Sequence, residues 1–119
     1  MTTLKRIPGN ARMSETVIHN GVAYLSGLLS SSPAGQDIRE QTRNALAQAD
    51  EVLKRAGSDK SRLLTAQIWL KDIANDFDGM NEEWMAWIDG NNLPTRATGE
   101  VLMSNPDFLV EIIFTAAVD

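Results

Sequence analysis

Phe108-Leu109-Val110-Glu111-Ile112-Ile113-Phe114-Thr115-Ala116-Ala117-Val118 decides how this chain folds. The run is too apolar for a loop and too short for a membrane span. Its β-branched and aromatic residues make it a strand, residues 108–118. Successive strand side chains point to opposite faces. Val110, Ile112, Phe114 and Ala116 therefore share one face, fit for packing under helices. Leu109, Glu111, Ile113 and Thr115 share the other. A carboxylate amid so much apolar chain is costly unless something pairs with it or uses it.

Working back from this strand, Asn105-Pro106-Asp107 is a turn and residues 95–103 form the preceding strand. That strand opens in Leu93-Pro94-Thr95-Arg96-Ala97-Thr98 and supplies the partner expected for Glu111, which is Arg96. We expect Ala97, Val101 and Met103 to face the helices. Arg96, Thr98 and Glu100 are expected on the face of Glu111. A guanidinium and a carboxylate on neighbouring strands form either a structural ion pair or a site for a small carboxylic acid.

Farther upstream, residues 16–19 and 22–28 read as strands joined by Asn20-Gly21, a hairpin signal because both residues tolerate positive φ. A short extra strand is expected near residues 4–7. Residues 37–56 form a helix, with Ile38, Ala45, Leu46, Ala49, Val52, Leu53 and Ala56 in one stripe and Gly57 at its C-terminal cap. Residues 63–70 alternate. Leu64, Ala66, Ile68 and Leu70 should form one face, with Thr65, Gln67 and Trp69 on the other. A second helix is expected over 76–91, capped by Asp76, with Phe77, Met80, Trp84, Trp87 and Ile88 as its core stripe. The order ββαβαββ with two helices gives an α+β fold, a sheet covered on one face only. Residues 1–119 read as one domain. The other sheet face mixes Leu109, Ile113 and Trp69 with Gln67, Arg96, Thr98 and Glu111. Such a mixture suits a subunit interface that holds a wet pocket.

Composition narrows the function. The net charge is −5 with scattered Lys and Arg, which argues against nucleic acid as partner. No apolar run approaches the length of a membrane span, and no apolar signal core follows the N-terminus, so the expected address is the cytoplasm. There is no cysteine and one histidine, His19, which leaves thiol chemistry and a His-rich metal centre out of reach. His19, beside the Asn20-Gly21 turn, is expected to be an exposed hairpin residue.

Pro94-Thr95-Arg96, Val110-Glu111-Ile112, Tyr24-Leu25-Ser26-Gly27 and Asp76-Phe77-Asp78-Gly79-Met80-Asn81, in this order and spacing, resemble the RidA/YjgF/YER057c family. Ala11-Arg12-Met13-Ser14 makes the YoaB-like branch the nearest. The resemblance implies a chorismate-mutase-like α+β fold and a homotrimer with pockets at the subunit interfaces. It implies hydrolysis of reactive 2-imino (enamine) acids to 2-keto acids and ammonia, with no metal or organic cofactor. Arg96 would bind the carboxylate of the small metabolite and Glu111 would position or activate the attacking water. Thr98, Ser26, Gly27 and Asn81 would line or support the pocket. The chain departs from the family pattern in three places: Met13 stands where a tyrosine is common, Thr98 where a cysteine is usual, and Leu28 where glutamine often follows Ser-Gly.

Overall fold

The computed structural model describes residues 3–119. Eight main elements follow in order: β1 (Lys5–Pro8), β2 (Ser14–His19), β3 (Val22–Leu25), α1 (Ile38–Arg55), β4 (Leu63–Leu70), α2 (Ile73–Trp87), β5 (Thr95–Glu100) and β6 (Val110–Ala117). They build one six-stranded sheet of order β1-β2-β3-β6-β4-β5. Only β4 and β5 run parallel, linked by α2; every other neighbouring pair is antiparallel. The last strand in sequence is thus inserted between β3 and β4.

Local sequence explains the element ends. Asn20 and Gly21 take φ of 52° and 76°, the pair of left-handed residues that a two-residue hairpin needs. Asp37 and Glu40 form a reciprocal capping box at the start of α1, and Gly57, with φ of 81°, turns the chain away at its end. The α2 helix starts one turn earlier than its sequence suggests: Asp72, not Asp76, caps it by accepting from the Asn75 amide. It also stops sooner, at Trp87.

The core lies between the helices and one sheet face. Val110, Ile112, Phe114 and Ala116 are all fully buried there. Trp84 stacks on Phe114 with ring centroids 5.9 Å apart, and Trp87 packs at 5.7 Å from the same ring. Phe77 does not join this stripe and stays exposed. Leu64 is exposed too, because a register irregularity between Leu63 and Thr65 turns Leu63 inward in its place. His19 is half-buried rather than exposed. Gln41, on the buried side of α1, is a polar clamp: its amide nitrogen donates to the Asp107 carbonyl at 2.9 Å and its oxygen accepts from the Leu109 amide at 2.9 Å. It ties the turn before β6 to α1.

Candidate functional site

The expected neighbours Arg96 and Glu111 are not on neighbouring strands. β4 lies between them. Arg96 pairs with Ala66, which pairs with Phe114, whereas Glu111 pairs with Trp69, which pairs with Gly99. Paired residues share a sheet face, so Arg96, Thr98 and Glu100 stand on the helix side and Ala97 and Gly99 on the side of Glu111. This reverses the parity expected for β5. The two charges are two strand spacings apart, about 10 Å, and three residues apart along the strands, about 10 Å more. The sheet itself stands between them, which removes the intrachain ion pair. Glu100 does not replace Glu111 as the partner of Arg96; its carboxylate accepts from the Ile73 amide at the start of α2.

Two half-sites result. The first is built on β5, an edge strand with one row of backbone groups free of ladder bonds. Here the Arg96 guanidinium lies over the Trp84 ring, 5.5 Å from its centroid. Burial lowers the pKa of Arg96, which nonetheless stays charged at neutral pH, and no carboxylate among the described residues pairs with it. The Thr98 hydroxyl is buried on the same face without a hydrogen-bond partner. Asn81, half-buried, lies one turn before Trp84 on the same flank of α2.

The second half-site surrounds Glu111 on the open sheet face. Its carboxylate rests directly on Gly27; a Cβ at Gly27 would stand 2.9 Å from Glu111 Cδ and overlap the carboxylate oxygen. Gly27 is thus a place where only glycine leaves room for the acid. Leu28 fastens this segment by exchanging backbone hydrogen bonds with Ile112, at 2.8 and 3.0 Å. Ser26 points elsewhere: its hydroxyl donates to the Ser14 carbonyl at 2.6 Å, bracing the β2–β3 end of the sheet. Burial raises the pKa of Glu111, and no cation among the described residues pairs with it. A cleft of about 540 Å³ opens beside it. Met13 and Trp69, readable as packing residues, line this cleft. So do Asn10, Leu29 and Leu102, which sequence reasoning missed, and Val101 and Met103, which it placed under the helices. The available signal was Gly9-Asn10, a turn pair: Asn10 Oδ1 accepts from the Arg12 and Met13 amides at 2.8 and 3.1 Å and so sets where Met13 stands.

A partly desolvated cation and a partly desolvated carboxylate, each unpaired, can together hold an organic acid and move a proton, provided that they meet. They cannot meet within one chain.

The family model described as Endoribonuclease L-PSP matches residues 3–118. The RutC family protein YoaB of Escherichia coli K12 is 45% identical over 98% of this chain and 99% of its own length. A 2-iminobutanoate/2-iminopropanoate deaminase of Rattus norvegicus is 34% identical over 74% of this chain and 66% of its own length. A solved structure from Neisseria meningitidis, a member of the YjgF protein family, superposes with a TM-score of 0.93 at 37% identity, covering 98% of this chain and 96% of that one. The mixed sheet, the two helices on one face and these matches agree: the chain belongs to the YjgF/RidA family, in its YoaB-like branch.

Proposed function

We propose that this chain hydrolyses reactive 2-imino (enamine) acids to 2-keto acids and ammonia, in pockets formed where copies of a cytoplasmic homotrimer meet. One observation carries this reading: Arg96 and Glu111 are opposite charges, both partly desolvated, neither neutralised within the protomer. Removing charges from water is unfavourable unless a partner or ligand compensates. A second copy that brings its Arg96 half-site to the open face beside Glu111 supplies both. The deaminase names of the more distant relatives agree with it.

The chemistry asks little of the protein. Arg96 holds the substrate carboxylate in a bidentate fork. A water then attacks the protonated imine carbon. As the C–O bond forms, Glu111 takes a proton from that water, and the C=N electron pair moves to nitrogen. The proton on Glu111 passes to the nitrogen, the C–N bond breaks, and ammonia leaves as the hydroxyl loses its proton to become the keto oxygen. Orientation and one proton-handling group suffice. Burial, which raises the Glu111 pKa, moves it toward the range useful for such exchange.

A second reading has its own support. Met13 replaces the aromatic hydroxyl common in imine-hydrolysing members, which favours a trimer that binds a small carboxylate, or regulates, without turnover. One experiment separates the two. Imino acids are made in situ by an amino-acid oxidase, and keto-acid release is compared with the buffer rate. Arg96→Ala and Glu111→Gln should each lose roughly a thousandfold or more in kcat/KM. Co-refolding the two inactive variants in equal amounts should restore about a quarter of the sites, because a pocket built by two copies recovers whenever an intact Arg96 meets an intact Glu111. No acceleration by the parent protein rejects hydrolysis. Activity without restoration on mixing rejects the shared pocket.

A further inference from the structure

Arg96 carries the carboxylate grip of the proposed reaction, yet no polar group holds it in place. Among the described residues its guanidinium makes no hydrogen bond and no ion pair. What it does meet is an aromatic face, the Trp84 indole, whose centroid lies 5.5 Å from the Arg96 Cζ. We propose that Trp84 is a positioning residue: it holds the Arg96 guanidinium by its flat side and leaves the whole donor fork free for a substrate carboxylate. The inference rests on the reading of Arg96 as that grip and adds the residue that aims it.

The sheet builds the slot for the indole. Arg96, Ala66 and Phe114 form one row across β5, β4 and β6, on the helix face. Ala66 carries a single methyl, so the row is low in its middle. Phe114 and Arg96 stand two strand spacings apart, about 10 Å. The Trp84 ring, 5.9 Å from the Phe114 centroid and 5.5 Å from Arg96, occupies the interval. Phe114 backs it at an interplanar angle of 18°. Trp87 packs beside it at 6.0 Å, and the Trp87 indole N–H donates to the Asp50 carboxylate on α1 at 3.1 Å. Trp84 itself is buried. The platform under Arg96 is therefore fixed by the core before any ligand arrives.

Holding an arginine by its face differs from holding it by its edge. A carboxylate or carbonyl partner would fix the side chain but use the N–H groups that the substrate needs. A ring face attracts the cation through its quadrupole and consumes none of the five donors. It also restrains a side chain rich in rotamers. Without the ring the guanidinium would spend part of its time turned away, and the apparent affinity for an acid would fall by that fraction. The loss belongs to ground state and transition state alike, so it enters KM and leaves kcat unchanged.

The test weakens the ring while keeping its shape. Tetrafluorotryptophan placed at position 84 by nonsense suppression fills the same slot, but its fluorines withdraw negative charge from the ring face. KM for an imine should rise about threefold or more at unchanged kcat and Tm. Trp84→Leu, which removes the aromatic face, should raise KM about tenfold, and Trp84→Phe should recover most of that loss. The Kd of pyruvate, from titration calorimetry, should follow the same order. A tryptophan that only packs the core gives a different pattern. Trp84→Leu then lowers Tm, while the fluorinated protein keeps KM and Kd within about twofold of the parent, and that result overturns the inference. Should pyruvate bind with no imine hydrolysed, the hydrolase reading falls and the Kd series decides for or against Trp84. A parent protein that neither hydrolyses an imine nor binds pyruvate, or that binds pyruvate no better than Arg96→Ala does, overturns the grip and the role of Trp84 with it.

Discussion

The two faces of β6 differ in what their residues are free to do. On one, Val110, Ile112, Phe114 and Ala116 have no exposed surface and are clamped under α1 and α2. On the other, Glu111, Ile113 and Thr115 are half-buried with no helix above them. The covered face specifies the fold and tolerates no charge. The open face keeps a carboxylate, a tryptophan and aliphatic groups in one neighbourhood. A single strand thus separates the part that makes the protein stable from the part that gives it something to do.

Truncation at adjacent positions breaks this contrast most sharply. Phe114→Ala removes the ring against which both Trp84 and Trp87 pack and should cost about 3–5 kcal/mol in urea or guanidinium unfolding. Ile113→Ala, one residue away on the open face, should cost about 1 kcal/mol when the protein is dilute enough to be monomeric. Similar midpoint shifts for the two variants would mean that the open face is packed within the protomer.

The next largest effect belongs to a polar residue on the covered side. Gln41→Met keeps the length and volume of the side chain but strands the Leu109 amide and the Asp107 carbonyl. We expect a loss of about 2 kcal/mol, read as a lower denaturant midpoint at unchanged m-value. An effect within about 0.5 kcal/mol would show that water reaches those groups in its place.

These contrasts also mark how far the sequence could be read. Period-two alternation gave the two faces of β6 because that strand has four strongly apolar residues on one parity. The Asn20-Gly21 turn, the Asp37 cap and Gly57 were legible because each answers a local backbone requirement. β5 resisted for the opposite reason. Its residues Thr95-Arg96-Ala97-Thr98-Gly99-Glu100 carry no large apolar side chain on either parity, so its facing is set by parallel pairing to β4 and the length of α2. That reversed parity, together with the expected adjacency of β5 and β6, placed Arg96 beside Glu111 in a single chain. The residues of the candidate site were legible by type; their division into two half-sites was not, because strand order is a long-range property that no local pattern encodes. The α2 start shows a smaller ambiguity of the same kind: Asp72 and Asp76 are both acceptable caps by residue type, and the earlier start is held by the Asn75 bonds to Asp72 and by the contact of the Ile73 amide with Glu100 on β5.

The smallest expected effect is the most discriminating. Desolvation holds the Glu111 carboxyl above its ordinary pKa in the protomer, so the folded chain binds that proton more tightly than the unfolded chain does. Between the ordinary and the raised value, stability falls as pH rises, and above the window the whole penalty is present. Glu111→Gln removes it. In an Arg96→Ala background, where no copy can offer that guanidinium, Glu111→Gln should raise Tm at pH 7 by about 2 °C, and the gain should vanish as pH drops below about 4. In the parent background the gain should shrink or change sign, because an Arg96 brought by a second copy compensates the carboxylate and makes its removal costly. The difference between the two backgrounds is the coupling energy of the pair, and a geometry that separates the two residues by a sheet within one chain permits it only across an interface. Equal gains in both backgrounds would leave Arg96 and Glu111 strangers in the assembled protein too.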